Sequence, residues 1–234
     1  MTLPLCISVP HAGQRVPPEL QDLCILSREN ILADRDTGAD TIYFPLQEYA
    51  AAFYTTDIAR SLVDLNRAPG DQGVKGVIKT RTCRDVPIYR AFPDEQLVQK
   101  LLARYYYPYH DNLSAVAASN HIKMGIDCHT MSHIGPPIGP DPGRERPLVC
   151  LSYGDGTCPT DWINYLARCF ASVFKEKVWI NKPFRGGYIT RSHADEMFWL
   201  QVEISQSETY SNAFKKNCVL EVFHRFCHTV FGRA

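Results

Sequence analysis

Two histidines and an acid, His11, Asp36 and His129, lie far apart along the chain and together are the residue types from which a catalytic metal site is built. His129 sits in Gly125-Ile126-Asp127-Cys128-His129-Thr130, after the apolar Ile122, Met124 and Ile126 and before Ser132, Gly135 and Pro136, which break the pattern. A core strand of an α/β sheet ends in this way, and ligand sites gather beyond the carboxyl ends of such strands. Leu5, Ile7 and Val9 alternate in the same manner before Pro10-His11-Ala12-Gly13, which puts His11 just past a second strand. An imidazole ligates a metal through one ring nitrogen while a carboxylate or carbonyl orients the other. Two histidines, one carboxylate and an open position are what a single catalytic zinc ion requires. A closed structural site takes four ligands, usually with cysteines, and the nine cysteines here lack that spacing. Taken singly, each residue has a plainer role: His129 as a hydrogen-bonded core histidine, His11 in a loop, Asp36 as a helix cap.

The acid is one of three in Asp34-Arg35-Asp36-Thr37-Gly38-Ala39-Asp40, and Asp34 or Asp40 could take its place. The even spacing is not a calcium loop, since the glycine falls one place early and the closing glutamate is missing. Ala39, Ile42, Tyr43 and Leu46 have helical spacing, with Asp36 near the helix start. Glu203 lies inside the apolar run Phe198-Trp199-Leu200-Gln201-Val202-Glu203-Ile204, where an ionised carboxylate is costly unless paired. If it reaches the cavity, Glu203 takes the proton of a water and passes it to a leaving nitrogen, while zinc activates water and polarises a carbonyl oxygen.

Arg67 ends the run Ser61-Leu62-Val63-Asp64-Leu65-Asn66-Arg67, read as a strand, and holds a planar fork suited to a carboxylate; its plainer role is an exposed ion pair with Asp64 or Asp71. Gly186-Gly187 between Arg185 and Arg191 lets backbone approach a ligand closely beside two cations, or else forms a simple hairpin with solvated arginines. Cys128 beside His129 offers a rival chemistry, a thiolate nucleophile. Adjacent strand residues point to opposite faces, which sets that pair badly.

The elements that must position these residues follow from the patterns between them. At 234 residues and 45% apolar, the chain reads as one α/β domain over 1–234, with a mixed, mostly parallel sheet flanked by helices. Further strands are expected at 51–55, 148–151 and 178–180, and helices at 160–174 and 211–231. The longest helical pattern runs from Asp94 to about Asn120, with Pro108 as a kink or break and His110 packed by hydrogen bonds after it. Gly154-Asp155-Gly156 makes a turn, 69–76 is a Gly-rich loop without a phosphate-loop pattern, and the Pro- and Gly-rich stretch 132–146 is a candidate lid. Lys plus Arg equals Asp plus Glu at 25 each, which speaks against nucleic acid as a partner. Residues 1–10 carry no basic region before an apolar run, and no segment approaches the ~20 apolar residues of a membrane span. The scattered, odd number of cysteines fits a reducing compartment, the cytoplasm by default. The oligomeric state stays open.

S-V-P-H-A-G at 8–13, D-R-D-T-G-A-D-T-I-Y at 34–43, V-D-L-N-R at 63–67, Y-P-Y-H at 107–110, D-C-H-T-M at 127–131, P-F-R-G-G-Y-I-T-R at 183–191 and L-Q-V-E-I at 200–204 resemble, in order, the motifs of the N-formylglutamate amidohydrolase family. Each is weak alone, but together they cover nearly the whole chain. The resemblance implies a fold of the zinc-exopeptidase type, related to carboxypeptidases and aspartoacylase. It also implies hydrolysis of an N-acyl amino acid, in that family N-formyl-L-glutamate to formate and glutamate. By that likeness His11, Asp36 and His129 are metal ligands and Glu203 is the general base. Asn66 and Arg67 match a pair that grips the substrate carboxylate, Arg60, Arg185 or Arg191 holds the second carboxylate, and Tyr188 joins the substrate-binding set. The chain departs from the pattern at Thr37, where an aromatic residue is usual, and at Ser192-His193-Ala194-Asp195, where a glycine-proline turn is usual; both stretches are expected to line the acyl or side-chain pocket. A catalytically inactive binding protein of the same fold is the alternative of a different class.

Overall fold

In the computed structural model, which describes residues 2–154 and 156–232, the apolar alternations before His11 and His129 form neighbouring parallel strands. In chain order the elements are β1 (Leu3–Val9), α1 (Arg28–Asp34), α2 (Ala39–Tyr43), β2 (Ala50–Thr55), β3 (Gln72–Gly73), β4 (Ile78–Lys79), α3 (Glu95–Leu101), α4 (Tyr107–Ala117), β5 (Met124–Met131), β6 (Val149–Ser152), α5 (Thr160–Phe174), β7 (Val178–Ile180), α6 (Tyr188–Ser192), β8 (Trp199–Ser205) and α7 (Asn212–Val230). Six strands form a mixed sheet in the order β2-β1-β5-β8-β6-β7, in which only the β6–β8 pairing is antiparallel. From β1 the chain continues to β2 on one side, and from β5 to β6 on the other. The β1–β5 boundary is therefore a switch point, where the carboxyl ends of parallel strands open a crevice.

Burial on both faces explains the strand composition. One face packs Leu5, Ile7, Ile126, Cys128, Leu200 and Val202 against α2, α5 and α7; the other packs Cys6 and Trp199 against α3, α4 and Ile189 of α6. All eight residues of β5 are buried, so Asp127 and His129 are polar groups inside a fully covered strand. Gly125 is required by packing: a Cβ there would lie 2.4 Å from the Trp199 indole carbons.

Two stretches differ from expectation. Residues 61–67 form no strand; Leu62 and Val63 donate to the Ala59 carbonyl and Arg67 to that of Asp64, so the apolar run is a chain of turns whose Leu62, Val63 and Leu65 fill the second core. Pro108 does not break the helix. A π turn at Leu102–Tyr106 precedes it, and Tyr107 N bonds back to Leu102 O, so the wider turn absorbs the register that proline disturbs. Helix caps follow the expected chemistry: Ser27, Asp94 and Ser211 each accept a bond from a first-turn amide. Asp155, in the middle of the expected Gly154–Gly156 turn, lies outside the described residues, as do residues 1 and 233–234 of the expected domain.

Replacing Gly125 with Ala is expected to lower stability by about 1–3 kcal/mol through overpacking on Trp199, read as a lower urea midpoint at an unchanged denaturant slope.

Candidate metal centre

His11 follows β1 directly, His129 lies in the last turns of β5, and Asp36 lies between α1 and α2, where its backbone amide donates to the His11 carbonyl at 3.1 Å. One ligand atom from each of the three lies within 4.8 Å of the others, and all three side chains are buried. Asp36 Oδ2 is 2.9 Å from His129 Nδ1 and 3.6 Å from His11 Nδ1. Asp36 does not cap α2, whose N-cap is Gly38 with φ of 83°. Of the other two acids, Asp34 accepts from the Cys83 amide, and Asp40 pairs with Arg35 and the Thr41 amide.

Each imidazole is held from behind by a carboxylate. His11 Nε2 meets Asp64 Oδ1 at 2.8 Å, and His129 Nε2 meets Asp127 Oδ2 at 2.8 Å. With these nitrogens donating, the Nδ1 lone pairs of both neutral rings point at the Asp36 carboxylate. Acceptors facing acceptors are repulsive, and His11 Nδ1 is a buried nitrogen without a hydrogen-bond partner. A cation among the three gives every lone pair a partner, so these residues fit a metal ion. Without one, charge collects on a ring: burial opposes it, but Asp127 and Asp36 hold the His129 imidazole well above the usual histidine value. Burial likewise opposes ionisation of Asp36, yet His11 and His129 keep its carboxyl far below the ordinary range.

The carboxylates behind the rings are themselves braced. Arg60 donates to Asp36 Oδ1 at 3.0 Å and Asp64 Oδ2 at 3.2 Å, and Lys79 Nζ lies 2.8 Å from Asp64 Oδ2. Ser8 donates to Asp127 Oδ1 at 3.0 Å, and Asn66 Nδ2 donates to Asp127 Oδ2 at 2.9 Å. Reading the sequence alone does not assign Asp64, Asp127 or Lys79. Asp127 was available from the two-residue period that puts it on the His129 face, whereas Asp64 and Lys79 meet only through the turns after β2.

Glu203 pairs with His129 in the parallel register of β5 and β8, which sets it beside the His11–Asp36–His129 group. Its carboxylate accepts from Gln201 Nε2 at 2.8 Å, and Gln201 Oε1 accepts from the Gly187 amide at 2.6 Å. Burial, with Asp36 and Asp127 nearby, pushes the Glu203 carboxyl up to about 7 against the opposing pull of His129 and Arg60.

The site opens into a cavity of about 520 Å³ whose wall includes His11, Asp36, Arg60, Asn66, Arg67, His129, Arg185 and Glu203. Residues of the stretch 132–146 line it as well, with the Ile138 amide bonded to the Cys83 carbonyl. Arg67 reaches the wall with its Nε buried and unpartnered; it forms no side-chain pair with Asp64, which is wholly buried against His11, Arg60 and Lys79. Arg60 is committed to two carboxylates. Asn66 is committed as well, its Oδ1 accepting from the Ile189 amide at 2.8 Å. Tyr188 and Arg191 lie outside the cavity wall: the Tyr188 ring packs against His110 and Tyr106, and exposed Arg191 bonds to the Gly187 carbonyl. Thr37 and residues 192–195 are outside it too, because Thr37 faces solvent and His193 turns away to meet His110. Cys128 faces the opposite core, where burial holds its thiol well above the usual value, so it has no imidazole partner.

A mostly parallel α/β sheet thus gathers, at its strand ends, two carboxylate-backed histidines, an acid and a buried glutamate, a group that could hold a metal ion. The family model for N-formylglutamate amidohydrolase matches residues 3–210, and the chain belongs to that family. N-formylglutamate deformylase of Pseudomonas aeruginosa is 26% identical over 219 residues, covering 87% of this chain and 81% of the relative. The enzyme of that name from Pseudomonas putida is 24% identical over 220 residues, covering 88% and 81%. The crystal structure of N-formylglutamate amidohydrolase from Ralstonia eutropha JMP134 superposes with a TM-score of 0.80 at 20% identity, covering 98% of this chain and 94% of that one, and so shares the fold. No helix among the described residues is long and apolar enough to cross a membrane.

A Cβ at Gly187 would fall 2.2 Å from the Asn66 amide, although its φ of −78° suits any residue. Gly187→Ala is therefore expected to push Asn66 off the Ile189 amide, seen as faster hydrogen exchange at Ile189 N–H; unchanged exchange would show that the contact tolerates the methyl group.

Proposed function

We propose that this chain is a zinc-dependent amidohydrolase that cleaves N-formyl-L-glutamate to formate and L-glutamate. The observation that carries the reading is the buried, unpartnered Nδ1 of His11 turned toward Asp36 beside His129, with a carboxylate behind each ring. Family membership and the deformylase relatives supply the substrate. Zinc, held by His11, Asp36 and His129, would polarise the amide carbonyl and activate water.

Glu203 accepts the proton of the attacking water and delivers it to the amine nitrogen as the C–N bond breaks, so formate and the free amino acid leave. A carboxyl held near 7 by burial is poised for both transfers, and Gln201 fixes its orientation through the Gly187 amide. The substrate carboxylates fall to Arg67 and Arg185, which both line the cavity. Arg60 acts instead by holding Asp36 and Asp64 in place. The nine free thiols suit a reducing compartment such as the cytoplasm.

Glu203→Gln is expected to keep zinc at one equivalent while formate release from N-formyl-L-glutamate falls by roughly a hundredfold or more; undiminished turnover would remove Glu203 as the base. For Arg67→Ala, steady-state kinetics should show KM raised about tenfold or more with a smaller change in kcat, as expected for a lost charge-assisted contact.

A further inference from the structure

His193 belongs to the stretch that departs from the family pattern, and it is buried although it lies outside the cavity. Its ring is nearly coplanar with that of His110, the planes 10° and the centroids 5.2 Å apart, as an in-plane N–H···N bond requires. His110 Nε2 faces the Leu65 carbonyl at 2.9 Å, an acceptor only, so Nε2 carries the hydrogen. Burial, with His193 alongside, pushes the His110 imidazole down to about 4, which leaves its Nδ1 as an acceptor. His193 Nε2, 2.9 Å away, is then the donor. On its other side His193 Nδ1 meets Glu196 Oε2 at 2.7 Å, while Ser114 Oγ donates to Glu196 Oε1 at 2.8 Å. Glu196, His193, His110 and the Leu65 carbonyl thus form one continuous hydrogen-bonded chain, with Ser114 Oγ also 3.4 Å from His193 Nδ1.

That chain closes on the site. The residue after Leu65 is Asn66, whose Oδ1 accepts from the Ile189 amide at 2.8 Å, while the His193 amide bonds the Ile189 carbonyl at 3.3 Å within the turn of α6. One short helix thus grips Asn66 from two sides, at its side chain through Ile189 and at its preceding peptide through His193 and His110. The amide so held is the one that donates to Asp127 Oδ2 and abuts His129 Nε2 at 3.1 Å. We propose that His193 is a positioning residue for His129, acting through His110 and Asn66. The inference deepens the proposed function, on which its metal-affinity readout rests; a ring-nitrogen readout does not depend on that reading.

The test uses the full chain with 15N-labelled histidine and, separately, zinc affinity by chelator competition. His193→Phe keeps a ring but loses the donor, and is expected to shift the His129 ring-nitrogen resonances of the metal-free chain and weaken zinc binding about tenfold. His193→Gln can still donate to His110 Nδ1 and should return the resonances toward wild type and the affinity to within about threefold of it. Wild-type His129 resonances in the Phe variant, or equal defects in the Phe and Gln variants, would overturn the proposal, the second by reducing His193 to packing. If the Phe variant does not fold, Glu196→Gln, at the exposed end of the chain, decides: a shift at His129 supports the proposal and an unchanged spectrum overturns it. A wild-type chain that takes up no zinc would refute the proposed function, while the resonance comparison would still judge the positioning role.

Discussion

The constraint from which the rest of the structure follows is a crowding of buried acids. Asp34, Asp36, Asp64, Asp127 and Glu203 all lie inside one region of the protein, with Arg60 and Lys79 as buried or half-buried cations paired among them. Ionised carboxylates in a low-dielectric interior are tolerated only when paired and hydrogen-bonded. The pairing here is ordered: Lys79 and Arg60 serve Asp64, Arg60 serves Asp36, Ser8 and Asn66 serve Asp127, and the two imidazoles stand between the outer acids and Asp36. What remains uncompensated is concentrated on the side of Asp36 and Glu203 that faces the cavity. This imbalance, more than any single distance, is what a cation held by His11, Asp36 and His129 would relieve.

The fold supplies the crowding by topology. β1 and β5 run side by side and send the chain away in opposite directions, so the ends that carry His11 and His129 face a crevice no crossover fills. β8 lies on the far side of β5 and brings Glu203 level with His129. The turns after β2 then wrap Asp64, Asn66 and Arg67 over the opening, held down by the buried Leu62, Val63 and Leu65.

Most of this was legible in the sequence because it depends on period-two alternation and on strand ends. The strands before His11 and through His129 and Glu203 were readable in that way, and the terminal helix from its helical spacing. The stretch 61–67 reads as a strand because a buried turn and a buried strand present the same apolar density, and the bonds from Leu62 and Val63 to Ala59 are invisible to periodicity. Arg60 looked like a substrate contact because an arginine's partner is a tertiary fact; here the partners are Asp36 and Asp64, 24 and 4 residues away. Tyr188 and Arg191 sit in a glycine-rich stretch that does approach the cavity, but helix α6 begins at Tyr188 and turns Tyr188 onto His110 and Tyr106 and Arg191 to the surface.

The level pairing of His129 with Glu203 also bears on how the chain reaches its native state. Side chains alternate across a sheet, so a slip of one residue between β5 and β8 would bring Val202 or Ile204 into the crevice and drive Glu203 among Leu5, Ile126 and Phe223 in the opposite core. A carboxylate stranded there without a partner costs several kcal/mol. The buried carboxylate of Glu203 thus acts during assembly as a proofreader, making the offset sheet unstable before any ligand arrives.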